Sequence, residues 1–151
     1  MKTQFDILRK IRELVGKVIN GLTLEQLHAI PEDFKNNIAW NVVHIVVTQQ
    51  LLHYRLTGKD CLVSDEWIEL YRKGTAPTKV MSQEEFDEVL ALLKALPDTL
   101  EEDYNAGIFT EYTEYPTSTG FVLDSIDTAI SFNNMHESLH LGVIMSLKKL
   151  V

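Results

Sequence analysis

The chain has 151 residues, of which 45% are hydrophobic and 24% charged, and its formal net charge is −8. This length is enough for one domain with a substantial buried core, so we predict a single domain over residues 1–151. The acidic balance, without a dense Lys/Arg cluster, argues against a nucleic-acid-binding protein, because phosphate binding needs a basic face.

Cysteine content and hydropathy indicate the compartment. Cys61 is the only cysteine, which excludes an internal disulfide and is typical of a reducing cytosol. The N-terminus lacks the apolar core of a signal peptide, and no stretch reaches the roughly 18 consecutive apolar residues of a membrane span. We therefore predict a cytoplasmic protein without a membrane partner.

Hydrophobic periodicity predicts two long helices in the first third of the chain. The first covers residues 3–20, where apolar residues recur at helical spacing until Asn20-Gly21. The second covers residues 37–56 and is apolar on most of its surface, which indicates the most buried helix. Residues 58–81 follow as an irregular segment with one short helix at about 65–72.

Two more long helices are predicted in the second half. The capping box Ser82-Gln83-Glu84-Glu85 begins the third helix, and Pro97 is expected to break or kink it before a short continuation to about Tyr104. After a loop at 105–118 with short extended pieces, the last helix is predicted at 119–150. Four long helices with inward apolar faces predict an all-α four-helix bundle.

Three histidines are the most informative side chains. His136 and His140 lie one turn apart on the inward face of the last helix, and His44 lies within the apolar second helix. Burying three unpaired imidazoles costs about 1–3 kcal/mol each, which one shared cation would offset. Three protein ligands leave coordination positions open, as in a reactive metal site. Hydrogen-bonded, inert core histidines are the alternative, whereas His28 and His53 are predicted to face solvent.

The run His136-Glu137-Ser138-Leu139-His140 also matches a metalloprotease motif in which the glutamate is the general base. That function needs a further ligand, and residues 141–151 contain no His, Asp or Glu. We therefore interpret Glu137 as a residue that supports a ligand, packs between helices or forms an inter-helix salt bridge.

Four stretches resemble the DinB-like (YfiT-like) family of bacterial four-helix-bundle metal proteins. They are Asn37–Ile45, Tyr71–Pro77, Phe86–Leu100 and His136–Ile144, and the match that includes them covers nearly the whole chain. The order of the three histidines, with Leu-Gly after the last, carries most of this resemblance.

The resemblance implies an up-down-down-up bundle with a divalent metal, nickel or zinc, bound by His44, His136 and His140. It also implies a homodimer. Family members with known activity are thiol-dependent transferases or isomerases that use bacillithiol, mycothiol or glutathione. The leading hypothesis is therefore a metal-dependent S-transferase that joins a low-molecular-weight thiol to a small-molecule substrate.

Several residues are candidates for the surroundings of the metal. Trp40, Thr48 and Asn133 are predicted to form the wall of a cofactor- or substrate-binding pocket, but no catalytic residue is identified. Two alternatives remain open. One is a metal-dependent hydrolase in which Asp127 or Glu137 takes the proton of a bound water. The other is a noncatalytic protein that binds a metal or small ligand and dimerises.

Overall fold

The computed structural model describes all 151 residues and is mostly helical, which agrees with the predicted all-α class. A single 3-10 turn at Arg55–Thr57 and a two-stranded antiparallel ribbon complete the secondary structure. The helices and strands are α1 (Lys2–Ile19), α2 (Leu24–His28), α3 (Ile38–His53), α4 (Asp65–Tyr71), α5 (Gln83–Asn105), β1 (Tyr115–Pro116), β2 (Val122–Leu123) and α6 (Ile126–Leu147). None of the helices combines the length and apolarity that a membrane crossing requires.

Side-chain caps explain where most of the helices begin. Five of the six α-helices have an N-cap side chain that accepts a backbone N–H of the first turn, an interaction worth about 1 kcal/mol. The capping box predicted at Ser82 is present, with Glu85 as its reciprocal partner. The other cap residues are Thr23, Asn37, Ser64 and Ser125.

The last helix begins later than the sequence pattern predicts. Residues 119–124 belong to the ribbon and its turn, and α6 begins only after the Ser125 cap. Gly120 has a φ of 87°, a left-handed conformation that ends any helix at this point. Phe121 and Val122 continue the apolar stripe in the sequence, but both are about half exposed in the ribbon.

Of the two predicted effects of Pro97, a break or a kink, the break does not occur, because α5 is continuous from Gln83 to Asn105. A proline has no N–H for the carbonyl of residue i−4, here that of Leu93. The Leu93 carbonyl instead accepts a hydrogen bond from Arg12 Nη1 at 3.4 Å. A side chain from α1 thus satisfies the carbonyl that the proline leaves free.

The four long helices contact one another in a closed ring in which α1 and α3 each pack against both α5 and α6. Cross-helix hydrogen bonds show that α1 runs parallel to α6 and α3 parallel to α5, since the residue numbers of the partners rise together. The pairs are Gln4 with Asn134, Val18 with Lys148, Gln49 with Leu96, and Tyr54 with Asp103. Between α1 and α5 the numbers run in opposite directions, as in the pairs Arg9–Asp98 and Arg12–Leu93.

The prediction that the second long helix is the most buried is confirmed. Fourteen of the sixteen residues of α3 are buried, because α2, α4, α5 and α6 all pack around it. His53 therefore lies fully inside, which contradicts its predicted solvent exposure. His28 is not free either: its Nδ1 contacts the Leu24 carbonyl at 2.8 Å and its Nε2 accepts the Met81 N–H at 3.0 Å.

Candidate metal centre

His44, His136 and His140 meet between α3 and α6. One ring nitrogen from each lies within 4.8 Å of the other two. The ring centroids are 4.5 Å apart for the pair on α6, and 5.2 and 4.7 Å from His44 to His136 and His140. The structure therefore brings together the three residues that the sequence selects as ligands.

Helix geometry accounts for this convergence. The four-residue spacing on α6 places His136 and His140 on one face, with their Nε2 atoms 3.2 Å apart. Because α3 packs along that face, His44 reaches the same point from the opposite helix. All three histidines sit on continuous helices, which position side chains more rigidly than loops do.

Two of the imidazoles have their orientation fixed by an acceptor on Nδ1. His44 Nδ1 lies 2.6 Å from the Tyr71 carbonyl, and His140 Nδ1 lies 2.8 Å from Asn41 Oδ1. In both pairs the imidazole N–H donates to an oxygen, so the proton is on Nδ1 and the lone pair is on Nε2. Metal-binding histidines are commonly held in this way.

The third imidazole is incompletely satisfied. His136 Nδ1 is buried without a hydrogen-bond partner, and its Nε2 faces His140 Nε2. Two nitrogens bound tetrahedrally to one zinc-like ion at about 2.0–2.1 Å would be about 3.3 Å apart, close to this separation. The cluster therefore fits a divalent cation in both donor chemistry and spacing.

Burial keeps these histidines uncharged at neutral pH. Together with a smaller effect of the neighbouring imidazoles, it lowers the pKa of His136 to about 4 and that of His140 to about 3. Burial also lowers the pKa of His44, although the Tyr71 carbonyl acts in the opposite direction. Neutral imidazole is the form that binds a metal.

Aromatic rings enclose the cluster on two sides. Trp40 stacks on His44 with the ring centroids 4.5 Å apart and the planes 11° apart, and its Nε1 donates to Thr75 Oγ1 at 3.2 Å. Phe132 lies nearly parallel to His136 at 6.3 Å. Apolar neighbours of this kind limit the access of water to the histidines.

A cavity of about 440 Å³ opens beside the three histidines. It follows one face of α3 and continues to the ribbon that precedes α6. Besides the histidines, it is lined by Thr48, Leu51, Leu52, Arg55, Leu56, Lys73, Tyr115, Thr117, Ser118, Thr119 and Phe132.

The three predicted pocket residues lie in different places. Thr48 lines the cavity, with its Oγ1 3.3 Å from His44 Nε2. Trp40 does not line the cavity and lies behind His44, with its ring centroid also 6.5 Å from that of His140. Asn133 is fully buried away from the cavity lining, where its Nδ2 donates to Glu137 Oε1 at 2.8 Å.

Glu137 forms the inter-helix salt bridge that was one interpretation of the sequence. Its two oxygens accept from Arg12 Nη2 and Nε at 2.8 and 3.0 Å, and both side chains are almost fully buried. The glutamate thus ties α6 to α1 instead of reaching the histidines.

Two functional contacts were missed by sequence reasoning. The Tyr71 carbonyl gives no sequence signal, because any residue supplies a backbone oxygen. Asn41 does give one: it is a polar residue in the middle of the apolar run of α3, fully buried and three residues before His44. Buried polar side chains need partners, and His140 is the partner of the Asn41 side-chain oxygen.

Comparison with known proteins identifies the family. A comparison with curated proteins finds no match. The family model described as the DinB superfamily matches residues 7–144, which include all three histidines and most of the chain. The chain therefore belongs to the DinB superfamily.

Proposed function

We propose that this protein is a divalent-metal-dependent S-transferase that uses a low-molecular-weight thiol, with His44, His136 and His140 as the ligands of nickel or zinc. One observation carries the proposal: three neutral imidazoles converge at the end of a largely apolar cavity. A site held by three protein ligands on one side leaves room for a substrate atom on the other.

The residues around the cluster have separable roles in this proposal. A divalent cation supplies Lewis acidity, which lowers the pKa of a thiol bound to it. Asn41 and the Tyr71 carbonyl keep the Nε2 lone pairs of two imidazoles directed inward. Leu52 and Phe132 form an apolar wall of the cavity that excludes water from the reacting groups.

The transfer itself is a nucleophilic displacement. The thiol sulfur forms a bond to an electrophilic carbon of the second substrate, and the leaving group departs with the electron pair of the bond that breaks. The thiol proton is released to solvent. Thr48 lines the cavity with its Oγ1 3.3 Å from His44 Nε2, so its hydroxyl is placed to donate a hydrogen bond at this end.

The hydrolase alternative has less support. It needs a carboxylate to take a proton from water, yet no Asp or Glu lines the cavity. Of the two candidates, Glu137 is paired with Arg12 in the core. Asp127 is exposed and accepts a hydrogen bond from Tyr104.

We also infer a single-domain, up-down-down-up four-helix bundle, supported by the directions of the four long helices. A cytoplasmic homodimer that acts on a small molecule is proposed from the family resemblance. Two apolar side chains of α6, Leu139 and Met145, are at least half exposed and are available to a second chain.

A thiol-transfer assay tests the proposed activity. Nickel- or zinc-loaded protein is incubated with a thiol and a chromogenic electrophile such as 1-chloro-2,4-dinitrobenzene, and thioether formation is followed. We expect turnover that requires both metal and thiol and is reduced at least about 100-fold in His44→Ala, which removes one of three ligands. His28→Gln, a histidine outside the cluster, is the control. Metal-dependent conversion of the electrophile without thiol would favour the hydrolase. Metal-loaded protein that is inactive with varied thiols and electrophiles would favour the noncatalytic alternative.

A further inference from the structure

The cavity beside the histidines has the opposite charge character to the rest of the molecule. The chain carries 22 acidic and 14 basic residues. Nevertheless, the cavity lining contains two cationic side chains, Arg55 and Lys73, and no carboxylate. An acidic protein that excludes all its carboxylates from one cavity presents a locally positive site.

Arg55, in the 3-10 turn that follows α3, is only weakly neutralised by a carboxylate. Arg9, Arg12 and Arg72 each have a carboxylate partner within 3.1 Å. The single carboxylate partner of Arg55 is Asp65, at 3.4 Å, and the Asp65 side chain is 93% exposed. Exposed pairs of this kind contribute little, so the Arg55 guanidinium remains able to bind another anion.

Lys73 adds to the same positive character. It forms no salt bridge with any carboxylate of the chain. It lies two residues after Tyr71, whose carbonyl contacts His44, so its backbone is near the histidine end of the cavity. The lysine therefore strengthens the attraction of an anion entering the cavity.

The cavity is also elongated. His44, Thr48, Leu52 and Leu56 follow one another at four-residue spacing along one face of α3 and the turn after it. At about 1.5 Å per residue, Arg55 is roughly 16 Å along the axis from His44. Leucine side chains occupy the lining between the two ends, so the middle of the cavity favours an apolar chain.

We propose that this cavity binds an elongated organic anion, with its apolar body along the leucines of α3 and its carboxylate at Arg55, while its other end reaches the three histidines. This inference rests on the proposed function, since it specifies the substrate class of the same site. Arg55 is the specificity-determining residue, because guanidinium–carboxylate hydrogen bonds are directional and charge-assisted. Lys73 contributes a less directional attraction.

A matched pair of thiols tests this inference with cobalt-loaded protein. 8-Mercaptooctanoate and 8-mercaptooctanol have the same thiol and the same apolar chain and differ only in the terminal group. Their dissociation constants are measured from the thiolate-to-cobalt charge-transfer absorption. We expect the acid to bind about three- to tenfold more tightly than the alcohol, the range for a partly exposed charge pair. Arg55→Gln should remove most of this preference without weakening the binding of the alcohol.

Arg72→Gln is the matched control, because it is the same substitution on an exposed arginine that does not line the cavity. It should leave the preference for the acid unchanged. Equal binding of acid and alcohol to the wild type would overturn the inference, as would an equal loss of preference in Arg55→Gln and Arg72→Gln. If neither thiol produces the charge-transfer absorption, the proposed function fails and this inference fails with it. If the alcohol binds normally but the acid is not preferred, the inference is overturned and the proposed function is not.

Discussion

Asn41 and Tyr71 determine which nitrogen of two imidazoles faces the centre of the histidine cluster. Each supplies an oxygen to an Nδ1, at 2.8 Å for His140 and 2.6 Å for His44. A free imidazole exchanges its proton between two nitrogens, and a fixed acceptor selects one tautomer. Contacts of this kind typically change metal affinity by about 10- to 100-fold. The site is therefore built from five residues instead of three.

Outside the metal centre, His53 makes the stability of the protein depend on pH. Its side chain is fully buried, and burial lowers its pKa to about 3. Because this value lies below the roughly 6.5 of an unfolded chain, the unfolded state binds the proton first as the pH falls. Stability is therefore present above pH 6.5 and is lost as the pH decreases towards 3.

Between pH 7 and pH 5, we expect the free energy of unfolding of the metal-free wild type to fall by about 2 kcal/mol more than that of metal-free His53→Gln. Urea denaturation at the two pH values measures this difference. The three clustered histidines titrate in both proteins, so the comparison isolates His53. NMR titration of the His53 ring is an independent readout. A ring that becomes protonated near pH 6 in the folded protein would contradict the prediction.

At the scale of elements, one arginine connects all four long helices. Arg12 on α1 donates to Glu137 on α6, to Gln49 on α3 at 2.9 Å, and to the Leu93 carbonyl on α5. The connection to α6 is made next to His136, and the connection to α3 is made one residue after Thr48. The network thus fixes the helices at the level of the histidine cluster.

Removing one member of this buried pair should be costly. We expect Arg12→Met to lower the free energy of unfolding by about 3–5 kcal/mol, because it leaves the Glu137 carboxylate buried without its partner. The double variant Arg12→Met/Glu137→Met should recover part of this loss, since no buried charge remains. Urea denaturation of both variants measures the two values.

The exposed pair between Lys17 and Glu13 provides the control. Lys17→Met removes the same sign of charge from the same helix, and we expect a change below about 1 kcal/mol because exposed ion pairs contribute little. A double variant at Arg12 and Glu137 that is no more stable than Arg12→Met alone would contradict the account of the buried charge.

Element boundaries were predictable only where local chemistry sets them. The capping box at Ser82 appears in the sequence and in the structure. The continuity of α5 through Pro97 depends on Arg12, which is far away in the chain, so no local pattern predicts it. Asn133 is a second case in which the local sequence misleads. Its spacing from His136 suggests a pocket residue, but its side chain points into the core and donates to Glu137.

At the scale of the whole molecule, periodicity predicts the all-α class, and the order of the histidines predicts the cluster. What the sequence alone does not provide is the surroundings of the cluster, because loops and the ribbon contribute Lys73 and Ser118 to the cavity. The family match places the chain in the DinB superfamily, but membership of a family does not determine a substrate, and part of the cavity lining comes from these loops.

Metal content tests the central claim most directly. Untagged wild-type protein, His44→Ala and the control His28→Gln are analysed by inductively coupled plasma mass spectrometry. We predict about one nickel or zinc ion per chain in the wild type and the control, and its loss in His44→Ala, because two ligands on one helix bind far more weakly than three. A wild-type protein that contains neither metal and takes up neither when it is added would contradict the account.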